Sequence, residues 1–237
     1  MSKTIELEKY EAIVFDLFHT LTSIQHNKAP GKHSSELLGI DRDAWNKALF
    51  SGTESRLRGL ITDPVEIIQD IALKIDPGIP REKIIEVASV RKKRFIHCLQ
   101  YIPASTMDTL KTLKSISKKI ALISNADAVE CSGWNKSEIA KLFDVSIFSC
   151  NVGYLKPEFQ IYQLCLEQLN LSPEHCLFVG DGNSDELQGA RRAGMDTVFT
   201  SEFIRDIWPE KISERSKIAH YHITSITQLV KSDKIIY

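Results

Sequence analysis

The sequence has no CxxC pair, no long apolar run and almost no net charge, and each absence removes a class of function. Its five cysteines (Cys98, Cys131, Cys150, Cys165, Cys176) are odd in number and widely spaced. That spacing disfavours a disulfide framework or a zinc site and predicts free thiols in a reducing compartment. No apolar stretch approaches the ~20 residues that a membrane-spanning helix needs, and the opening residues MSKTIELEKYEAIVFD hold no secretory h-region. A cytoplasmic location without a membrane partner is therefore expected. With a formal net charge of −1, nothing recommends nucleic acid as a partner. Repeats and low-complexity tracts are missing too. Hydrophobic residues at 43% and charged residues at 26% of 237 positions exclude disorder and allow a substantial core.

What is present is an alternation. Apolar runs at 11–15, 120–123 (IALI), 145–148 (VSIF), 177–180 (LFVG) and 197–200 (TVFT) read as strands. Helical patterns lie between the later ones. Met107, Leu110, Leu113 and Ile116 recur along one face. Pro157 suits a first helical turn ahead of a stripe of Ile161, Leu164, Cys165 and Leu169. Leu187 and Ala190 are expected to face inward, with Gly194 as a C-terminal stop. This order predicts an α/β fold, a Rossmann-like doubly wound parallel sheet. Residues 24–98 break the rhythm and read as helices only. They predict an all-helical cap domain inserted into a core of 1–23 and 99–237, poised as a lid over the crevice at the carboxyl ends of the strands.

Polar residues gather at those predicted ends. Asp16 follows the first strand, Ser124 and Asn125 the second, Lys156 the third, and Asp181 and Asp185 the fourth. Each alone has an ordinary explanation, as a turn former, a cap or a solvated charge. Together, on one rim, they predict a shared site.

The ordered set resembles the haloacid dehalogenase superfamily over residues 11–200 at least. The first motif of that family is a strand ending in Asp-x-Asp-x-Thr, and here it reads Asp16-Leu17-Phe18-His19-Thr20. Its second motif matches Ser124, its third Lys156-Pro157, and its fourth Gly180, Asp181 and Asp185. The helical insertion looks like the cap of the family. The resemblance implies a hydrolase in which Asp16 is the nucleophile and forms a covalent ester that water then hydrolyses. It also implies Mg²⁺ held by Asp16, the main-chain carbonyl of Phe18 and Asp181, with Asp185 in support. Lys156 and Ser124 would stabilise the transferring group, and Asn125, Thr20 and His19 would complete the phosphate side of the site. The expected substrate is a small phosphorylated molecule, and the expected protein a monomer or homodimer.

Two departures stand in the first motif. Phe18 replaces the second Asp, and His19 stands where Gly is usual. The residue at position 18 would ordinarily protonate the leaving oxygen and then activate water, help worth ~10²–10⁴ in rate. A phenyl ring cannot do so. Either the leaving group needs no proton, or another residue such as His19 supplies it, or the protein mainly binds. Dehalogenases of the superfamily carry an aromatic residue here and use no metal, but their fourth motif lacks paired acids. The acids retained in GDGNSDE favour a metal and a magnesium-dependent phosphatase or phosphonatase-like enzyme over a dehalogenase or a regulatory binding protein.

Elsewhere, RKKR at 91–94 reads as a solvated helix, because four consecutive positions spread around the axis. His220 and His222 would share a strand face with no third metal ligand in view. Trp45, Trp134 and Trp208 read as packing residues, with Trp134 near enough to Ser124 to line a pocket. In the lid, His26, His33 and Arg56 are candidate substrate contacts.

Overall fold

The computed structural model describes residues 4–25 and 29–230. After β1 (Ala12–Phe15) come five helices without an intervening strand: α1 (Ser34–Leu38), α2 (Arg42–Phe50), α3 (Glu54–Leu57), α4 (Pro64–Ala72) and α5 (Arg81–Gln100). The chain then runs α6 (Ala104–Ser115), β2 (Lys119–Ser124), β3 (Val145–Phe148), α7 (Ser149–Val152) and α8 (Phe159–Leu169). It closes with β4 (Cys176–Gly180), α9 (Glu186–Arg192), β5 (Asp196–Thr200), α10 (Ile212–Ser216) and β6 (Tyr221–Ile223). The six strands form one parallel sheet in the order β3-β2-β1-β4-β5-β6. The order reverses between β1 and β4, so the crevice of a doubly wound sheet opens beyond those two strand ends.

The apolar run of β1 is explained by its central place. Val14 pairs with Ala121 on one side and Phe178 on the other. A strand with helices over both faces must be apolar at every position. Ile13 and Phe15 pack into one core cluster with Leu122 and Val179, while Ala12 and Val14 pack into the opposite one with Ala121 and Phe178. The helical segment has a core of its own, built from Trp45, Ile67, Ile71, Val87 and Phe95. It also rests on the sheet domain. Arg58 pairs with Glu158 and donates to the carbonyl of Gly153 at 2.8 Å. Beside it a Cβ on Gly59, at φ +74°, would lie 2.0 Å from the Cys150 carbonyl oxygen. That close approach requires glycine.

Two helical expectations are corrected. In α6, Leu110 and Leu113 are buried but Ile116 is 49% exposed. A three-residue spacing drifts behind a 3.6-residue turn, and Thr106 and Thr109 take the inner face instead. Thr106 Oγ1 donates to the Leu21 carbonyl at 3.1 Å. Pro157 is not in the first turn of α8, which begins at Phe159; the Lys156–Pro157 peptide is cis. The remaining stripe residues fit, with Ile161, Cys165 and Leu169 buried and Leu164 half-buried. All five cysteines are free, and among the described residues no helix is long and apolar enough to cross a membrane.

Candidate active site

Asp16 leaves β1 at the sheet's reversal point and is buried there. Lys156 Nζ lies 2.6 Å from Asp16 Oδ1 and 2.5 Å from Glu186 Oε2. On its other side Asp16 Oδ2 accepts a hydrogen bond of 3.0 Å from Thr20 Oγ1. Both carboxylate oxygens are thus oriented before any ligand arrives. Thr20 is fully buried and holds Asp16 from behind rather than forming the cavity wall. Burial opposes the charge on Lys156, but Asp16 and Glu186 outweigh it and hold the ammonium above its usual pKa range. It stays protonated.

Asp181 leaves the neighbouring β4. Its Oδ2 accepts from Arg215 Nη1 at 2.8 Å, and the same guanidinium group reaches its carbonyl at 2.9 Å. Ligand oxygens of Asp16, Asp181 and Glu186 all lie within 4.8 Å of one another. Burial, then the charge of Asp16, raises the pKa of both Asp181 and Glu186. These three buried carboxylates face two cations, Lys156 and Arg215.

Asp185 is not in this cluster. Ser184 and Asp185 both adopt left-handed backbone conformations, with φ of 53° and 49°, and this turn leaves Asp185 exposed and delivers Glu186 inward. Gly180 makes the space, since a Cβ there would lie 2.2 Å from Glu186 Oε1. The acid was visible in GDGNSDE, one position beyond the family spacing. Arg215 carries no motif and could not have been found from the sequence.

Ser124 and Asn125 end β2 beside the cavity. The Asn125 side chain donates to the Lys156 carbonyl at 2.9 Å and accepts from its backbone N–H at 2.8 Å, so its amide positions the lysine. His19 sits in the left-handed region at φ 65°. Its Nε2 lies 3.2 Å from Gln25 Oε1, and its ring meets Trp208 edge-on at 4.9 Å between centroids. Phe18 turns its ring toward the helical segment and packs against both the sheet core and the helical core.

A cavity of about 950 Å³ opens over these residues, walled on its far side by the helical segment. Several sequence expectations change here. Arg91 and Arg94 line the cavity, whereas Lys92 and Lys93 point to solvent; positions three apart share a helix face, so RKKR is a split motif rather than a solvated one. Trp134 does not line the cavity and is buried against Phe143 and Phe148, while Trp45 and Trp208 do line it. Among the lid candidates, His33 and Arg56 are in the wall, and His26 falls outside the described residues. His220 and His222 bond to Thr197 and Ser201 of the β5 region.

A family model described as haloacid dehalogenase-like hydrolase matches residues 10–194. Glyceraldehyde 3-phosphate phosphatase of Methanothermobacter thermautotrophicus is 27% identical over 128 residues, 53% of this chain and 55% of the relative. The match thus spans about half of that relative's length. Among solved structures, a dehalogenase is similar at TM-score 0.64 and 20% identity, over 94% of this chain and 96% of the other. A HAD family enzyme from Bacteroides thetaiotaomicron, solved in a magnesium complex, is similar at TM-score 0.60 and 18% identity, over 81% and 93% of the two chains. At these identities the two structures speak for the fold.

Proposed function

The chain belongs to the haloacid dehalogenase-like hydrolases, and we propose that it is a phosphoric monoester hydrolase that works through an aspartyl intermediate on a small phosphorylated metabolite. The buried cluster of Asp16, Asp181 and Glu186, with Lys156 bridging the first and last, carries this reading. The phosphatase name of the similar protein from Methanothermobacter thermautotrophicus supports it.

Asp16 attacks phosphorus, the bond from phosphorus to the leaving oxygen breaks, and that oxygen takes a proton. Water then attacks the phosphorus of the phosphoaspartyl group, and inorganic phosphate and free Asp16 result. Lys156, fixed by Asn125, sets the nucleophile and offsets charge on the transferring group, with Ser124 beside it. With Phe18 in place of the usual acid, the proton comes from solvent or from His19, next to Phe18 in the cavity wall, and this step is less efficient than with a carboxylic acid at position 18.

The donor set fits a hard cation. It consists of oxygens only, and three buried carboxylates against two cationic side chains leave negative charge that a divalent ion would relieve. Asp16, Asp181 and the Phe18 carbonyl would hold Mg²⁺, with Glu186 in the supporting place that the family spacing gives to Asp185. When bound, the ion would neutralise phosphate charge beside the nucleophile. In this reading residues 24–98 act as a lid that closes over the substrate and excludes water.

A second reading, metal-independent dehalogenation, has the aromatic ring of Phe18 in its favour and the three acids against it. A panel of phosphate esters, phosphonates and haloacids, with and without magnesium, separates the two. Phosphate release dependent on magnesium is expected. Halide release without metal would overturn the proposal.

A further inference from the structure

The wall opposite Asp16 is rich in cationic side chains, for Arg42, Arg56, Arg91 and Arg94 all line the cavity. Three buried side-chain nitrogens of the cavity lining, Trp45 Nε1, Arg56 Nε and Arg91 Nε, have no hydrogen-bond partner. Trp45 and Arg56 are almost wholly buried and Arg91 is 7% exposed. A buried polar group without a partner costs free energy and is rare in native proteins. All three lie beneath the wall surface, so what the cavity presents is the charge of the arginines rather than these N–H groups.

Arg56 is paired with Asp127 at 3.3 Å and Arg91 with Glu130 at 2.9 Å, so both acids of the loop after β2 are already engaged. Arg42 and Arg94 also line the cavity. Among the described residues Arg94 donates to the carbonyls of Ala29 and Gly31, and neither arginine forms an ion pair with a carboxylate, although the charge of Glu36 acts on Arg94. His33 stands among them, its pKa lowered by burial and then by Arg42, Arg94 and Arg91. Phe95 ties this wall to the catalytic end of the cavity. Its ring is met by Phe18 at 5.4 Å and by the Arg91 guanidinium at 4.7 Å.

We propose that the cap side of the cavity, formed by Arg42, Trp45, Arg56, Arg91 and Arg94, is a subsite for a second anionic group, so that the substrates are phosphate monoesters carrying a carboxylate or another phosphate at the far end. This rests on the phosphatase reading for the reacting end only. An anion bound in the cavity supplies the ion-pair partner that Arg42 and Arg94 lack among the described residues. A cavity of about 950 Å³ has room for a small metabolite held at both ends.

Binding and turnover are measured separately. Asp16→Asn protein is titrated by calorimetry with two matched pairs. 3-Phosphoglycerate against glycerol 3-phosphate tests a carboxylate, and fructose 1,6-bisphosphate against fructose 1-phosphate tests a phosphate. The member with the second anionic group should bind at least tenfold more tightly in at least one pair, and which pair shows it identifies the group. Arg42→Gln and Arg94→Gln, each of which removes a cation without an ion-pair partner among the described residues, should each reduce that ratio by threefold or more. Equal binding within both pairs, or a ratio unchanged in both variants, would overturn the subsite. Failure of the wild type to hydrolyse any of the four compounds would instead count against the phosphatase reading, and the binding ratios would still decide the subsite.

Discussion

The ring of Phe18 stands edge-on to that of Phe95, with centroids 5.4 Å apart and planes at 77°. A position that the family gives to an acid here joins the loop after β1 to helix α5. Phe18 packs against the core of the sheet domain and the core of the helical segment together. Edge-to-face pairs of this kind contribute about 0.5–1.5 kcal/mol beyond area burial. Phe18→Ala should therefore destabilise the protein by about 2 kcal/mol, below the 3–5 of a fully buried phenylalanine. Urea unfolding checks this, and a loss below about 0.5 kcal/mol would show that the contact is incidental.

Phe18→Asp tests the missing acid. It should raise turnover of alkyl phosphates relative to aryl ones such as p-nitrophenyl phosphate, whose leaving group needs protonation less. The ratio of the two rates is the readout, because lost packing on Phe95 lowers both. An unchanged or lowered ratio in a folded variant would mean that His19 already supplies the proton or that none is needed.

The placement of Glu186 against Asp185 predicts an asymmetry. Glu186→Gln should weaken magnesium binding about tenfold or more, whereas Asp185→Asn, changing an exposed side chain, should have little effect. Calorimetric titration with magnesium alone reads both. Equal losses would return the family spacing to this chain.

Gly180→Ala introduces a Cβ 2.2 Å from Glu186 Oε1. The carboxylate must move, and its contact with Lys156 moves with it. Overpacking of this kind costs about 1–3 kcal/mol, and kcat should fall in the same variant. A fully stable and active Gly180→Ala would contradict the described position of Glu186.

Burial, with the neighbouring charge of Asp127, pushes Glu130 up to about 7 despite its pairing with Arg91. Between about 4.5 and about 7 the folded protein keeps a proton that the unfolded chain has released. The contribution of this carboxyl is therefore full below about 4.5 and is lost as pH rises through about 7. The slope is at most about 1.4 kcal/mol per pH unit. Urea unfolding of Glu130→Gln between pH 5 and 8 should show a flatter stability profile than wild type. Parallel profiles would remove Glu130 as a cause.

Much of this site was legible because strand ends are legible. An apolar run that stops at an acid locates Asp16 and Asp181, and a parallel sheet brings such stops to one rim. The helical run between β1 and β2 likewise announced the inserted segment. What could not be read were relations created by local backbone or by distant packing. Two successive left-handed residues exchange Asp185 for Glu186, and no periodicity reports such a turn. Arg215 reaches Asp181 from beyond the last matched motif. Arg91 and Arg94 looked solvated because four consecutive charges hide the face that two of them share.

The central claim is that Asp16 is the nucleophile of a phosphatase, and phosphate release by Asp16→Asn tests it most directly. The variant keeps the shape of the side chain and an acceptor oxygen for Lys156, and the Thr20 hydroxyl can accept from the new amide, so circular dichroism should show a native fold. Turnover of p-nitrophenyl phosphate with magnesium should fall by at least about 10³-fold. Activity within about threefold of wild type in the folded variant would contradict the mechanism.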